Sequence, residues 1–427
     1  MISRKVPVPE GYMGRIIGKG ARGLQSLKEE TGAQVSTKKG IRDAVFVQGS
    51  EKQVKKAEFE IIRKIVIEKI NRESGVHKEI RETAIAAQHA SGLKLVKQET
   101  EESKACFRLN AGPGSPPSGL GKLQQSASRL LTTRRSGATD VWFHLGQLKI
   151  LDPRSGFDGS IFSEQKAILY LKPEPSSKTF VWPNRFDSFV EEDTFTSIQA
   201  HLEHKDDVKK GLSFIRHDVQ VYTPSYGERR FRTWEHLDGD RLEGKTTLGM
   251  YTGNEVVIGS GMEKVGENKG ILFTRLTNQM RGDILLPDLP LDCRLMIQTE
   301  SRASASESDQ QETATLKDVF SGTDVDEMEM RLPPFPRGYT VHFQRSSERT
   351  CYNYGHFSVV LSKDREIQSH SGGTPEEKPK YDIRVRNLQL EALFHTKDTP
   401  PPEEKSLGDM IGETVDFVKT LIRDSFT

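Results

Sequence analysis

Two helical segments joined by a glycine turn, Arg15-Ile16-Ile17-Gly18-Lys19-Gly20-Ala21-Arg22, constrain the fold of this chain more than any other feature. Tyr12 to Ile17 reads as a short helix that stops at Gly18. From Ala21 onward, Leu24 and Leu27 share one helical face until Gly32 ends a second helix. Before this pair, Lys5-Val6-Pro7-Val8-Pro9 reads as a strand that its prolines confine to an edge or terminus. After it, Ala33 to Thr37 and Ala44 to Val47 read as a hairpin around the turn-like Lys38-Lys39-Gly40. Ser50 is an N-cap candidate for a long helix that carries Val54, Ala57, Ile61, Ile62, Ile65 and Val66, with Lys and Arg on the other face. The order is β-α-α-β-β-α.

Charge separates this segment from the rest. Residues 1–75 hold 16 Lys plus Arg against 9 Asp plus Glu, a net of +7, while the whole chain carries 62 against 61. The remainder is therefore 46 against 52, a net of −6, so only the first segment is suited to a polyanion. Glycine lets a backbone approach a ligand closely and adopt positive φ without a Cβ clash. Lys19 and Arg22 add cationic donors beside the turn, and the start of the second helix adds unpaired N–H groups with a partial positive charge. These features together make a phosphate-facing edge.

The run Ile16-Ile17-Gly18-Lys19-Gly20, continued by Leu24-Gln25-Ser26-Leu27-Lys28-Glu29-Glu30-Thr31-Gly32-Ala33, resembles the type I KH family, whose element order is the same. The resemblance covers residues 4 to 70. It implies a groove between the glycine loop with its flanking helices and the strand after Gly32, able to hold about four nucleotides of single-stranded RNA. By that resemblance Ile16, Ile17, Leu24 and Val35 supply an apolar floor. Gly18, Lys19, Gly20 and Ala21 clamp the backbone, flanked by Arg15 and Arg22, and Lys38, Lys39 and Arg42 extend the phosphate contacts. The family loop is Gly-x-x-Gly, and here the fourth position is Ala21. Alanine is the smallest replacement and a better helix former, so the second helix is expected to start normally.

The expected fold class is α+β: an N-terminal β-α-α-β-β-α KH module plus a larger, mostly antiparallel β-rich α+β domain with a C-terminal helix. The expected boundaries are 1–75 for the KH domain and 76–138 for a flexible linker with some helix or strand. The β-rich domain occupies 139–299 and 336–395, interrupted by an acidic disordered insertion at 300–335, and a Pro-rich turn and amphipathic helix follow at 396–427. The linker rests on Ala111 to Ser118-Gly119, too poor in apolar residues to order itself. Of the chain's 32 aromatic residues only Tyr12, Phe46, Phe59 and Phe107 precede Thr139, which puts the large core beyond it. Strands are expected at Val141 to Leu151, Ala167 to Leu171, Asp218 to Tyr222, Arg230 to Leu237, Lys245 to Tyr251, Glu255 to Ile258, Gly270 to Leu276 and Cys293 to Gln298. Further strands are expected at Tyr339 to Arg345, His356 to Ser362 and Tyr381 to Leu393, with one helix around Phe195 to Lys210. In the final helix Leu407, Met410, Ile411, Val415, Val418, Leu421 and Ile422 form one face, read as docking on its own protein.

No second chemical motif is complete. His356-Phe357-Ser358-Val359 has the His-apolar-Ser-apolar form of two-histidine phosphoesterases, but His144, His342 and His395 supply no matching partner. His201 and His204 beside Asp206 and Asp207 could share a helix face for a metal, but no third ligand follows from spacing. The three cysteines, Cys106, Cys293 and Cys351, fit neither a disulfide framework nor a zinc ribbon. The expected activity is binding of single-stranded RNA, with single-stranded DNA as the nearest alternative, and neither cofactor nor metal is expected. The second region is read as a scaffold for protein partners or, alternatively, as a KH-linked phosphoesterase or other hydrolase; a third reading makes the KH module itself a protein-binding scaffold. With no run of about 18 apolar residues and no signal-peptide core at the start, an intracellular protein, cytoplasmic or nuclear, is expected.

Overall fold

The structure is a computed structural model that describes residues 1–38, 40–41, 43–73, 80–86, 90–98, 106–113, 120–132, 139–151, 161–171, 184–226, 228–236, 262–265, 270–273, 276–300, 311–312, 314–316, 318–319, 324–326, 329–369, 379–395 and 404–426. Its first unit is β1 (Ile2–Pro7), α1 (Met13–Ile17), a 3₁₀ turn (Lys19–Ala21), α2 (Arg22–Thr31), β2 (Gln34–Ser36), β3 (Ala44–Gly49) and α3 (Glu51–Glu73). The strands form an antiparallel sheet in the order β1-β3-β2. Val6, Val45 and Val47 from the strands meet Ile16, Leu27, Val54, Ala57, Ile61 and Ile65 from the helices in one core. The α3 N-terminus forms a reciprocal cap: Gln53 N donates to Ser50 Oγ at 3.3 Å, and Ser50 N donates to Gln53 Oε1 at 2.9 Å.

The second unit is one large branched sheet. Its strands are β4 (Ile80–Ile85), β5 (Ala90–Gln98), β6 (Cys106–Pro113), β7 (Thr139–Leu151), β8 (Ile161–Phe162), β9 (Asn184–Asp187), β10 (Phe189–Val190), β11 (Lys209–Tyr222), β12 (Glu228–His236), β13 (Met262–Val265), β14 (Gly270–Phe273), β15 (Leu276–Leu285), β16 (Asp292–Glu300), β19 (Thr340–Tyr354), β20 (Phe357–Ser369) and β21 (Lys380–Asn387). A separate hairpin, β17 (Asp324–Asp326) and β18 (Glu329–Arg331), falls between β16 and β19. The main order is β13-β14-β12-β11-β19-β20-β21-β7-β16-β15-β4, and among these pairs only β15 with β4 is parallel. The helices are α4 (Gly121–Thr132), α5 (Glu164–Leu171), α6 (Glu192–His204), α7 (Leu388–His395) and α8 (Glu404–Ser425).

Alternation along the strands decides the two faces. Val141, Phe143, Leu145, Leu295, Val359, Leu361, Ile383 and Val385 point to one side and pack under α4, α6, α7 and α8. Leu407, Ile411, Val415, Val418, Leu421 and Ile422 of α8 are buried there, so that amphipathic face is covered by its own sheet. A second core surrounds the far end of β7, where Leu148 and Ile150 meet Leu93, Leu95, Phe107, Leu109, Phe162 and Phe186. Among the described residues no helix is long and apolar enough to cross a membrane.

Several expectations change. Residues 80–85, 90–98, 106–113 and 121–132, read as part of a flexible linker with some helix or strand, form β4, β5, β6 and α4 of the large unit, because Leu93, Leu95, Leu109 and Leu123 bury in its cores. Ala167 to Leu171 is helical rather than extended: Ala167 and Leu171, four apart, both bury in the second core on one side of α5. Tyr381 to Leu393 splits into β21 and α7, with Asn387 Oδ1 accepting from Gln389 N and Leu390 N to start the helix. Lys209 and Lys210 belong to β11, not to the preceding helix. Lys245 to Tyr251 and Glu255 to Ile258 lie outside the described residues.

The two units touch. On α3 the stripe Phe59, Ile62, Val66 lies beside the stripe that fills the KH core, and it packs on Tyr222 and Tyr226. Phe59 stacks on Tyr222 and His342 with ring centroids 5.9 and 5.2 Å apart. Lys69 Nζ donates to Ser225 O at 2.6 Å, and Ser225 N and Oγ both donate to Glu312 at 2.8 Å. Glu312 belongs to the stretch read as a disordered insertion; its described residues include this buried acceptor and the buried Leu316.

Candidate nucleic-acid interface

The glycine turn is built by steric exclusion. Gly18 ends α1 at φ +70°, and a Cβ there would meet Gly23 N at 2.8 Å. Gly23, in the first turn of α2, leaves still less room, since its Cβ would stand 2.4 Å from Ile16 O and 2.9 Å from Ile17 O. The helices are thus pressed together on two glycines, which throws the residues between them outward.

Lys19, Gly20, Ala21 and Arg22 are exposed, and among the described residues neither Lys19 nor Arg22 has an ion-pair partner. Ala21 caps α2 in the left-handed region at φ +61°, ψ +13°. Its helix-forming tendency is therefore irrelevant: the position lies before the helix, in a conformation that costs a residue with a Cβ roughly 1 kcal/mol or more. The α2 N-terminus has no side-chain cap and no acidic residue in its first turn, so its N–H groups and partial positive charge face solvent beside Arg22.

The other expected contacts sort by depth. Ile16 and Val35 are fully buried in the KH core, while Ile17 and Leu24 are half-buried. The accessible apolar surface is accordingly Ile17 and Leu24, with Ile16 and Val35 beneath. Arg15 is exposed but paired with Glu68 of α3 at 3.5 Å. Lys38 lies over the Phe46 ring, its Nζ 4.3 Å from the centroid. Lys39 and Arg42 lie outside the described residues.

The two-histidine phosphoesterase motif calls for a second histidine near His356. Instead His356 Nε2 lies 3.1 Å from Glu413 of α8, and its ring packs on Phe357. His144 is on β7, paired with Asp382, and His342 sits in the contact with α3. Nδ1 of His204 is 2.7 Å from Ala200 O of its own helix, and no group of three or more metal-ligating side chains occurs among the described residues. Cys106, Cys293 and Cys351 are buried and not joined in disulfides, and burial pushes the Cys351 thiol up to about 11, away from nucleophilic chemistry near neutrality.

What sequence reasoning missed is the other face of the large sheet. Across β7, β21, β20, β19 and β11 it carries charged and hydroxyl side chains. Asp382 pairs with His144 and with Arg384 Nη2 at 2.7 Å. Arg345 Nη1 donates to Asp364 at 2.8 Å and Nη2 to Asp218 at 3.3 Å, and Arg216 Nε donates to Asp218 at 2.8 Å. Burial pushes Asp382 up, but Arg384 and His144 outweigh it and hold the carboxyl well below its usual range. Burial lowers His144 despite that carboxylate.

Residues 3–63 match the KH domain family. No curated protein matches the chain. Among solved structures, the chain is similar to the Pct1 RNA triphosphatase of S. pombe, with 14% identity and a TM-score of 0.38 over 71% of this chain and 92% of that one. The same enzyme in complex with the Spt5 CTD gives 12% identity and a TM-score of 0.37, over 71% and 93% of the two chains.

Proposed function

We propose, from the premise that residues 3–63 form a type I KH domain, that this chain binds a short single-stranded RNA segment in the groove beside the Gly18–Arg22 turn. The observation that carries the reading is the unpaired cationic edge at that turn: Lys19 and Arg22 stand exposed at the uncapped start of α2, next to the half-buried Ile17 and Leu24. Phosphates would meet Lys19, Arg22 and the α2 N–H groups, while bases would lie against Ile17 and Leu24. The clamp is a weak one, because one module contacts few nucleotides and Ala21 holds a strained conformation at its last position.

The activity is binding rather than catalysis, and single-stranded DNA is the chemically nearest competitor. The large unit would hold the KH module and offer surface to protein partners. Three buried cysteines outside any disulfide favour a reducing, intracellular compartment.

The test uses the full chain, because α3 packs against the second unit. Titration of short single-stranded RNA pools at low salt should give micromolar or weaker binding, and Lys19→Asp with Gly20→Asp should weaken it at least 10-fold. Gly20 sits at φ +61°, where a Cβ costs roughly 1 kcal/mol, so Lys19→Asp alone is the variant that should leave the unfolding midpoint unchanged. Binding unaffected by these changes would remove the groove from the account.

A further inference from the structure

We propose that the polar face of the large sheet contains a binding site for a hydrogenphosphate group, centred on a two-by-two patch of side chains from β19 and β20. In the antiparallel register Arg349 stands opposite Ser362, and Ser347 opposite Asp364. Alternation puts all four on the side away from the helices, with directly opposed residues about 5 Å apart. Arg349 is 1% exposed, Ser347 and Ser362 0% and Asp364 2%, so each is withdrawn from bulk water.

Groups buried this deeply normally find hydrogen-bond partners. Here Ser347 Oγ, Ser362 Oγ and Asp364 Oδ1 have none among the described residues, and neither has Nε of the adjacent Arg345. Three of these orphans are donors and one is an acceptor. A fully ionised oxyanion would satisfy the donors and be repelled by the carboxylate. A hydrogenphosphate, or a phosphate monoester carrying one proton, satisfies both kinds: its oxygens accept from the serines and arginine, and its P–OH donates to Asp364 Oδ1. Arg349, Arg345 and Arg216 border the patch, the last two already paired with Asp364 and Asp218. Solvent reaches the patch edge, since the Arg345 and Asp218 side chains keep 19% and 15% exposure.

Two sources share this chemistry: free phosphate and the terminal phosphate of a nucleic acid. The second rests on the RNA reading above, and it is the one the topology favours. Tyr222, on which α3 of the KH domain packs, lies four residues after Asp218 on β11 and on the same side of that strand. The KH domain therefore stands at one end of the face that holds the patch, about 13 Å along the strand.

The test is thermal unfolding of the full chain in inorganic phosphate and in equimolar sulfate, near pH 6.5. The wild type should gain several degrees in phosphate beyond any gain in sulfate. In Ser347→Ala with Ser362→Ala, which removes two unsatisfied buried hydroxyls, the midpoint without phosphate should stay the same or rise, and the phosphate-specific gain should disappear. Equal gains in the two salts, or a phosphate-specific gain that survives in the double variant, would overturn the site. A 5′-phosphorylated RNA that outbinds its 5′-hydroxyl counterpart at least threefold in the wild type, and not in the serine double variant, identifies the RNA terminus as the source. A phosphate-specific gain without that preference identifies free phosphate. Because the phosphate measurement contains no RNA, failure of the KH groove and failure of this site are separately visible.

Discussion

The glycine turn and the polar face of the large sheet both gather arginine with small side chains, but they treat charge in opposite ways. At the turn, Lys19 and Arg22 reach water without ion-pair partners among the described residues, so their electrostatics remain available to a ligand. On the sheet, Arg345, Arg384 and Arg216 are committed to Asp364, Asp382 and Asp218, and only a few hydroxyls and single atoms are left over. The first arrangement adds little stability and is suited to capture. The second couples its charges to folding, because removing one partner leaves the other buried and uncompensated.

That contrast can be broken most forcefully at Asp382. Asp382→Asn should cost about 3 kcal/mol of stability in urea unfolding at pH 7 while leaving RNA affinity unchanged. It should also alter the pH profile. The folded-state carboxyl is depressed, so its contribution is complete above its ordinary value of 3.8 and is lost as pH falls below that; the variant should lack this step. His144 is depressed as well, so the unfolded chain binds more protons below the ordinary 6.5. Stability should fall as pH drops from 7 toward 5, and His144→Gln should flatten that decline.

The next largest effect is expected where the two regions meet. Phe59→Ala opens a cavity against Tyr222 and His342 and should lower stability by about 3 kcal/mol, measured by denaturant unfolding. RNA affinity should change less than threefold, because the stripe carrying Phe59 is separate from the turn. A large loss of affinity would mean that the groove depends on the second unit.

Within the turn itself the effects are smaller and opposite in sign. Gly23→Ala should destabilise the chain by about 2 kcal/mol, because its Cβ would press on Ile16 O. Ala21→Gly should stabilise it by up to about 1 kcal/mol by relieving positive φ. Differential scanning calorimetry of the two variants reads both signs.

The same contrast explains which parts were legible in the sequence. The KH unit is signalled locally: Gly18, Gly32, the apolar spacing of α2 and the Ser50 cap each act within a few residues, so their consequences could be read in place. Ile16 and Val35 were assigned to the groove floor because their apolar character was visible and their depth was not. In the large unit, Arg345-x-Ser347-x-Arg349 and Asp382-x-Arg384-x-Arg386 have the period of a strand with one solvated face. Only the pairing of strands from distant parts of the chain reveals that this face is buried and that its members meet. Ala167 to Leu171 was misread for a related reason, since a five-residue apolar run suits either a strand or a helix until its neighbours are known.

The central claim, that Lys19 and Arg22 meet phosphates of a single strand, is tested most directly by the salt dependence of RNA binding. For the wild type, Lys19→Gln and Arg22→Gln, log Kd plotted against log salt concentration measures the number of phosphates neutralised. If both residues contact phosphates, each substitution should reduce the slope by about 0.7. Slopes identical to the wild type in both variants would contradict the account.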